Sequence, residues 1–254
     1  MCFLVGGSGS TGSTLLRNIL NRHPRVFSGP ELSLFNKEQF YRNWSKERTK
    51  LLNGNTFYTE GWFPYGGPAL LQTEYCWGHR EIELLLRDCP TFKDFVRRFF
   101  SRPLEQHGAD IWIEKTPSNS YAFRLFLATF QQGKVIHVAR NPLDTVASLL
   151  KRGMTPFYAA ALYIYNSACA LSVCSDDRYL LVRYEDLVDR PEVTLRRLTQ
   201  FIGVDYTDAL LTPDSQEPTE KIQSWNHAPT EAIREKATRT FETIDEEKQR
   251  EVVS

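Results

Sequence analysis

The sequence lacks the features of several broad protein classes. Its 31 basic and 31 acidic residues balance, whereas nucleic-acid-binding proteins usually carry a basic surface. The 5 cysteines are few, odd in number and irregularly spaced, which is typical of reduced thiols rather than of a disulfide framework. The 5 histidines are scattered, and no Cys or His pair has the spacing of zinc ligands. We therefore expect no nucleic-acid partner and no metal.

The sequence also lacks a segment typical of a signal peptide or a membrane span. Its apolar start covers only Cys2 to Val5 before glycines follow. The uncharged run 154–174 has the length of a span, but Pro156, Asn166 and several hydroxyl side chains would face lipid poorly. We interpret the run as a buried helix with four aromatic residues in the core, namely Phe157, Tyr158, Tyr163 and Tyr165. A cytoplasmic protein is expected.

A loop rich in glycine and hydroxyl residues follows the first apolar strand and leads into a helix. Glycines let the backbone approach an anion closely, and the N–H groups at a helix start attract negative charge. The loop is therefore predicted to bind the phosphate of an anionic nucleotide. The alternative is a serine-rich loop and helix cap without a ligand. The residues predicted to contribute are Gly9, Ser10, Thr11, Gly12, Ser13 and Thr14.

This loop differs from the loop of nucleoside-triphosphate enzymes at a critical position. Gly7 and Gly12 have the spacing of Gly-x-x-x-x-Gly-Lys-Ser/Thr, but Ser13 stands at the lysine position and Thr14 follows it. ATPases and GTPases normally use that lysine on the β- and γ-phosphates. Its absence favours a phosphate ligand that is held without ATP hydrolysis.

Two later segments, 113–119 and 135–148, share one design. In each, a β-rich run ends in a polar residue and a proline-containing turn, which sets Lys115 or Arg140 at the carboxyl end of a strand. Open α/β sheets bind their ligands at that end. His137, inside the second run, is predicted to be a packed and hydrogen-bonded residue rather than a catalytic base.

Strands alternate with helices along the chain, which predicts an α/β fold with a central parallel sheet flanked by helices. The predicted strands are 2–6, 25–28, 110–114, 134–139 and 178–183, and the predicted helices are 13–22, 118–129, 142–152, 157–174 and 191–202. We expect a single domain over 1–254. Within it, aromatic residues alternate with glycines in 37–108, which either forms an acceptor-binding helical and loop insertion or packs as a small helical subdomain.

Together with the loop, these segments resemble the sulfotransferases that use 3′-phosphoadenosine 5′-phosphosulfate (PAPS), in particular the carbohydrate and tyrosyl-protein branches and their bacterial relatives. The resemblance covers roughly residues 3–36 and 110–205 and implies a P-loop NTPase-like three-layer fold. It implies that the first loop holds the 5′-phosphosulfate. It also implies that Arg140 and Ser148, eight residues apart, hold the 3′-phosphate.

The same resemblance suggests further roles. Lys115 lies in a Lys-Thr-Pro segment similar to the family's catalytic-lysine region, and Glu31 follows a His-Pro, a short strand and a turn, as the family's catalytic glutamate does. Glu31 is then the general base, and Lys115 stabilises the leaving product, adenosine 3′,5′-bisphosphate (PAP). Donor contacts are also expected from Arg183, in the Arg-Tyr-Glu-Asp-Leu segment, and from Lys221 and Trp225.

One departure from the family concerns charge. Its members usually carry Lys or Arg in the first loop, near Ser10, where this chain has none. Contacts to the donor must then come from loop amides, loop hydroxyls and Lys115. An ATP-dependent small-molecule kinase of the same fold and a catalytically inactive nucleotide-binding scaffold stay open as alternatives. The expected acceptor is a hydroxyl of a small molecule, a sugar, a lipid or a tyrosine.

Overall fold

The computed structural model describes residues 1–53, 67–212 and 240–253. Its sheet consists of β1 (Cys2–Gly7), β2 (Val26–Phe27), β3 (Ile111–Lys115), β4 (Lys134–Ala139) and β5 (Tyr179–Arg183). The strand order is β2-β3-β1-β4-β5, and every described pairing is parallel. The carboxyl ends of all these strands therefore meet at one edge, which brings Gly7, Lys115 and Ala139 together.

Helices flank the sheet, and the predicted fold class is confirmed. The α-helices are α1 (Ser13–Leu20), α2 (Glu38–Arg42), α3 (Trp44–Asn53), α4 (Gly67–Tyr75), α5 (His79–Asp88), α6 (Phe92–His107), α7 (Phe123–Thr129), α8 (Pro142–Lys151), α9 (Pro156–Leu171), α10 (Tyr184–Asp189), α11 (Pro191–Ile202) and α12 (Glu246–Val253). Short 3₁₀ helices are Pro117–Ala122, Asp208–Leu210 and Phe241–Thr243. All five cysteines are free thiols.

Strands β1, β3 and β4 are largely buried on both faces, as expected of parallel strands covered by helices, whereas the edge strand β5 is mostly half-buried. Ile111 and Ile113 of β3 pack into one apolar cluster with α1 and α11, whereas Trp112 points into the other. That second cluster is rich in aromatic rings, and the rings of Phe100 and Trp112 stack with their centroids 4.1 Å apart. Residues that alternate along one strand thus contribute to two cores.

The predicted helix over 118–129 is in fact two elements, the 3₁₀ helix Pro117–Ala122 followed by α7. The 3₁₀ helix lies close to β1, since a Cβ atom on Gly6 would come within 2.6 Å of the Ser120 amide nitrogen. The Asn119 side chain also donates to the carbonyl of Val5 at 3.2 Å. These contacts hold the segment against the sheet before the α-helix begins.

The interpretation of α9 as a buried helix is wrong for much of its surface. Its fully buried residues are Ala159, Asn166 and Ala170, whereas Phe157 is 85% exposed and Tyr158 and Tyr165 are also exposed. The buried residues form the face that packs toward α8 and the sheet. Tyr163 is partly buried on that side, and its hydroxyl donates to the Arg140 carbonyl at 3.0 Å, whereas Phe157, Tyr158 and Tyr165 lie on the exposed side. None of the helices in the described ranges is long and apolar enough to cross a membrane.

Aromatic residues of the 37–108 segment pack into the core where the structure describes them. Trp44, Tyr75 and Trp77 are buried, and the indole nitrogens of the two tryptophans each donate to a backbone carbonyl at 2.9 Å. These three residues fit the packing alternative. Other aromatic residues of the segment lie outside the described residues, and its role as an acceptor-binding insertion stays a prediction.

His137 is packed and hydrogen-bonded, as predicted. It is 2% exposed, and its Nδ1 lies 2.7 Å from the Tyr179 hydroxyl. Burial lowers the pKa of His137 to about 4, because the interior disfavours the imidazolium. The native state therefore keeps His137 neutral at a pH where the unfolded chain, with a pKa of about 6.5, takes up a proton.

This difference predicts an acid-sensitive stability. His137 should bind a proton only in the unfolded chain between about pH 6.5 and pH 4, so stability falls as the pH falls through that window, by about 2 kcal/mol at pH 5. His137→Asn keeps a polar atom near the Tyr179 hydroxyl and removes the titration. Denaturant unfolding at pH 7 and pH 5 should show a smaller loss for the variant, and equal losses would contradict the assignment.

Candidate functional site

The loop between β1 and α1 is shaped by backbone conformations that few residues adopt. Gly12, which precedes α1, has a φ of 90°, and a Cβ atom there would lie 2.3 Å from Cδ2 of Tyr184. Ser10 also has a positive φ, 66°. The Thr11 hydroxyl donates to the carbonyl of Ser8 at 2.8 Å and closes the turn. The first amides of α1 follow directly, and such groups are suited to binding an anion.

Arg140 directly follows β4, at the carboxyl end of the strand as predicted, and its side chain lies against this loop. Its Nη1 donates to the carbonyl of Ser10 at 3.1 Å, and its Nη2 donates to the Thr240 hydroxyl at 2.6 Å. The guanidinium carbon is 5.1 Å from the ring centre of Tyr184. Burial lowers the pKa of Arg140, although an arginine stays protonated at neutral pH. A buried cation therefore stands beside the loop.

A second arginine at the loop was missed by the sequence analysis. Nη1 of Arg152, which directly follows α8, donates to the Ser10 hydroxyl at 3.2 Å. The loop passes beside α8, since a Cβ atom on Gly9 would lie 3.4 Å from Cδ2 of Leu149. Arg152 follows Ser148 by one helical turn, so the two share a helix face. That spacing is the signal that points to Arg152.

Lys115 and Glu31 are brought into direct contact from positions 84 residues apart. The Lys115 ammonium forms a salt bridge with the Glu31 carboxylate and donates to the Thr14 hydroxyl at 3.1 Å. Lys115 is 2% exposed, whereas the Glu31 side chain is 24% exposed and so reaches solvent. The pair offers a buried cation and an accessible carboxylate beside the first turn of α1.

The remaining predicted site residues differ in their placement. Ser148 is half-buried on α8, and Arg183 is largely exposed at the end of β5, with its Nε 3.9 Å from a Glu185 oxygen. Tyr184 follows Arg183 in the Arg-Tyr-Glu-Asp-Leu segment, and the sequence analysis gave it no role. Its ring lies next to the Arg140 guanidinium and to Gly12. Lys221 and Trp225 lie outside the described residues.

A later segment contributes to the surroundings of Arg140. Besides the bond from Arg140 to Thr240, Asp144 of α8 accepts from the Phe241 amide at 2.8 Å, and Lys151 donates to the Thr243 hydroxyl at 2.6 Å. These contacts span about 100 residues and could not be read from any local pattern. Among the residues that the structure describes, no group of three or more His, Cys, Asp or Glu side chains is arranged to hold a metal ion.

Comparison with known sequences identifies one family. The profile described as "Sulfotransferase family" matches residues 3–208. The chain is 25% identical over 225 residues to "Protein-tyrosine sulfotransferase" of Drosophila melanogaster, and 24% identical over 224 residues to "Protein-tyrosine sulfotransferase 1" of Danio rerio. Each match covers 82% of this chain but only 39% and 54% of the respective relative, so the chain spans about half or less of their lengths.

Comparison with solved structures agrees. The sulfotransferase domain from the Synechococcus PCC 7002 olefin synthase is 25% identical with a TM-score of 0.66, and the match covers 96% of this chain and 88% of that one. The sulfotransferase domain from the curacin biosynthetic pathway has a TM-score of 0.65 at 22% identity, covering 100% and 96%. At that identity the second likeness concerns the fold alone.

The close approach of Tyr184 to Gly12 predicts that a side chain at position 12 lowers the free energy of unfolding more than one at a glycine with open space around it. Gly12 and Gly153 have nearly equal φ angles, 90° and 87°, so alanine strains both backbones similarly. Only at Gly12 would the new Cβ meet a ring, because nothing lies within 4 Å at Gly153. Gly12→Ala should lower the free energy of unfolding by about 1–3 kcal/mol more than Gly153→Ala. Denaturant unfolding measures both, and equal losses would refute the close packing.

Proposed function

The chain belongs to the sulfotransferase family, and we propose that it transfers a sulfuryl group from PAPS to a hydroxyl acceptor and releases PAP. The observation that carries the proposal is the contact of Lys115 with both Glu31 and Thr14. A proton acceptor, a buried cation and a phosphate-binding loop thereby adjoin one another. Sulfuryl transfer by in-line displacement requires these three elements.

The donor fits the charges around the loop. PAPS carries anionic groups at both its 5′ and 3′ positions, and the site offers the first amides of α1, Thr14, Lys115, Arg140 and Arg152. Lys115 and the first turn of α1 suit the 5′-phosphosulfate. Arg140 and Ser148 suit the 3′-phosphate, which ATP does not have. Arg152 supplies a positive charge that the loop itself lacks.

The reaction follows from these assignments. Glu31 accepts the proton of the acceptor hydroxyl while the acceptor oxygen forms a bond to sulfur. The bond between sulfur and the oxygen of the 5′-phosphate breaks, and that oxygen leaves on PAP with its electron pair. Lys115 stabilises the negative charge that develops on this oxygen, while the loop and α1 hold the 5′-phosphate. Proton removal by a positioned base contributes on the order of 10²- to 10⁴-fold in rate.

In the absence of the donor, Glu31 balances the charge of Lys115. A buried ammonium needs a nearby negative charge, because burial removes its hydration. An incoming anionic donor supplies that charge and lets Lys115 interact with the bridging oxygen instead. Glu31 is then available to the acceptor from its partly exposed position. The acceptor itself is an alcohol or phenol of a small molecule, a sugar, a lipid or a tyrosine.

Donor recognition is tested through the 3′-phosphate. PAP at 100 times its dissociation constant should stabilise the protein by about 2.7 kcal/mol, and ATP and adenosine 5′-phosphate should bind more weakly. Arg140→Ala should weaken PAP binding by about 2–5 kcal/mol, because it removes a buried cation that pairs with the phosphate. Binding of adenosine 5′-phosphate, which lacks that phosphate, should change far less.

Calorimetric titration of both ligands against both proteins measures this difference. An unchanged affinity of Arg140→Ala for PAP would refute the 3′-phosphate assignment. Selective stabilisation of the wild type by ATP would favour the kinase alternative. PAP binding without sulfuryl transfer to any acceptor would favour the inactive scaffold, and no response to any nucleotide would refute donor binding.

The general base is tested separately. Glu31→Gln keeps the shape of the side chain but removes its capacity to accept a proton, so sulfuryl transfer should fall by about 10²- to 10⁴-fold. PAP binding should not weaken, since Glu31 makes no favourable contact with an anion. Glu38→Gln, on the exposed start of α2, is the matched control and should keep full activity. Transfer of radioactive sulfur from PAPS to a panel of hydroxyl acceptors provides the assay. A Glu31→Gln protein with the wild-type rate of transfer would show that Glu31 is not the base.

A further inference from the structure

A buried carboxylate lies next to Lys115 in the chain but has no part in the proposed reaction. Glu114 is 1% exposed. Its Oε1 accepts hydrogen bonds from the Leu32 amide at 3.0 Å and from the Thr116 hydroxyl at 2.7 Å, and its Oε2 accepts from Asn119 at 2.5 Å. Burial raises the pKa of Glu114, but three donors favour its charged form. Its hydrogen bonds therefore connect the stretch after β2, the end of β3 and the 3₁₀ helix that follows β3.

Thr116 extends this network to a second backbone amide. Its hydroxyl donates to Glu114 and accepts from the Ser33 amide at 3.1 Å. Thr116 is 2% exposed, so the Ser33 amide would otherwise face an interior without water. Ser33 has a φ of 54°, a conformation that a non-glycine residue adopts only when its surroundings impose it. Two successive amides, those of Leu32 and Ser33, are thus anchored directly after Glu31.

The anchored segment is held by tertiary contacts rather than by regular secondary structure. Besides the Glu114 and Thr116 bonds, the Tyr75 hydroxyl donates to the Pro30 carbonyl at 2.5 Å, and Leu32 is buried in the core. Strand β2 ends at Phe27, and residues 28–35 form no regular secondary structure. Glu31 follows Gly29 and Pro30 in this stretch, so its backbone must be fixed by contacts made elsewhere. The Glu114 and Thr116 bonds provide such contacts from the end of β3, the strand end that also carries Lys115.

Strand geometry explains how the short segment 114–116 contacts the Glu31 carboxylate and also holds the backbone that carries Glu31. Successive side chains of a strand point to opposite faces, so Glu114 and Lys115 diverge. Lys115 reaches the first turn of α1 and the Glu31 carboxylate, while Glu114 and Thr116 hold the backbone that carries Glu31. The relative position of base and cation is then set within a single network.

We propose that Thr116 and Glu114 are positioning residues that fix the backbone of residues 31–33 and thereby hold the Glu31 carboxylate where it accepts the proton of the acceptor. This inference rests on the proposed sulfuryl transfer. Neither residue touches the reacting groups. Their effect is on the geometry of the base, and small displacements of a reacting group can cost about 10²-fold in rate.

The test compares two substitutions of one residue. Thr116→Val keeps the shape of the side chain but removes the hydroxyl, whereas Thr116→Ser keeps the hydroxyl and loses only a methyl group. With radioactive PAPS and 4-nitrophenol, octanol or N-acetylglucosamine as acceptor, kcat should fall by about 10- to 100-fold in Thr116→Val and stay within about 3-fold of wild type in Thr116→Ser. The dissociation constant for PAP should be the same in all three proteins.

Hydrogen exchange provides a second measurement that needs no acceptor. The amides of Leu32 and Ser33 should exchange faster in Thr116→Val than in Thr116→Ser, while amides of β1 and β4 stay equally protected. If Thr116→Val does not fold, Thr116→Ala removes the same hydroxyl without adding a methyl group at its place.

The outcomes separate the two proposals. An unchanged kcat in Thr116→Val overturns the positioning role and leaves sulfuryl transfer intact, as does a loss confined to PAP binding. Equal exchange of Leu32 and Ser33 in both variants also overturns it. Wild-type protein that binds PAP but transfers no sulfur to any acceptor refutes the proposed function, and the positioning role in catalysis falls with it.

Discussion

The burial of the Lys115 ammonium is the constraint on which the site depends. A charge that is 2% exposed is tolerated only if its hydration is replaced, and here Glu31 and Thr14 replace it. These partners come from the first turn of α1 and from the stretch after β2, so both must be fixed relative to β3. Parallel pairing of β1 with β3, with Val5 aligned to Lys115, fixes the start of α1 relative to β3. The hydrogen-bond network of Glu114, Thr116 and Asn119 fixes the stretch after β2.

Much of this arrangement is encoded locally and was readable from the sequence. Alternating strands and helices predicted the sheet, and polar residues at strand ends predicted that Lys115 and Arg140 would lie at its carboxyl edge, where both are found. His137 was recognised as a packed residue because apolar neighbours on both sides indicated a buried strand. In each of these cases the deciding information lies within a few residues of the position.

Other features depend on how distant elements meet, and local patterns do not carry that information. Arg152 reaches the loop because the end of α8 lies beside it, and Thr240 contacts Arg140 from 100 residues away in the sequence. The exposed rings of α9 show the same difficulty, since an uncharged sequence does not tell which helix face a neighbour covers. The roles of Glu31, Lys115 and the donor-contacting residues stay predictions, because proximity alone does not establish catalysis.

The guanidinium of Arg152 at the Ser10 hydroxyl has a consequence for how such chains are classified. A motif that requires a basic residue within the loop describes where the charge sits in the sequence, whereas a ligand responds to where the charge sits in space. In this chain the basic residue that contacts Ser10 lies more than 140 residues away from it in the sequence. A search by loop motif alone would place it among proteins that have lost the basic group, although a basic group stands at the loop in the folded chain.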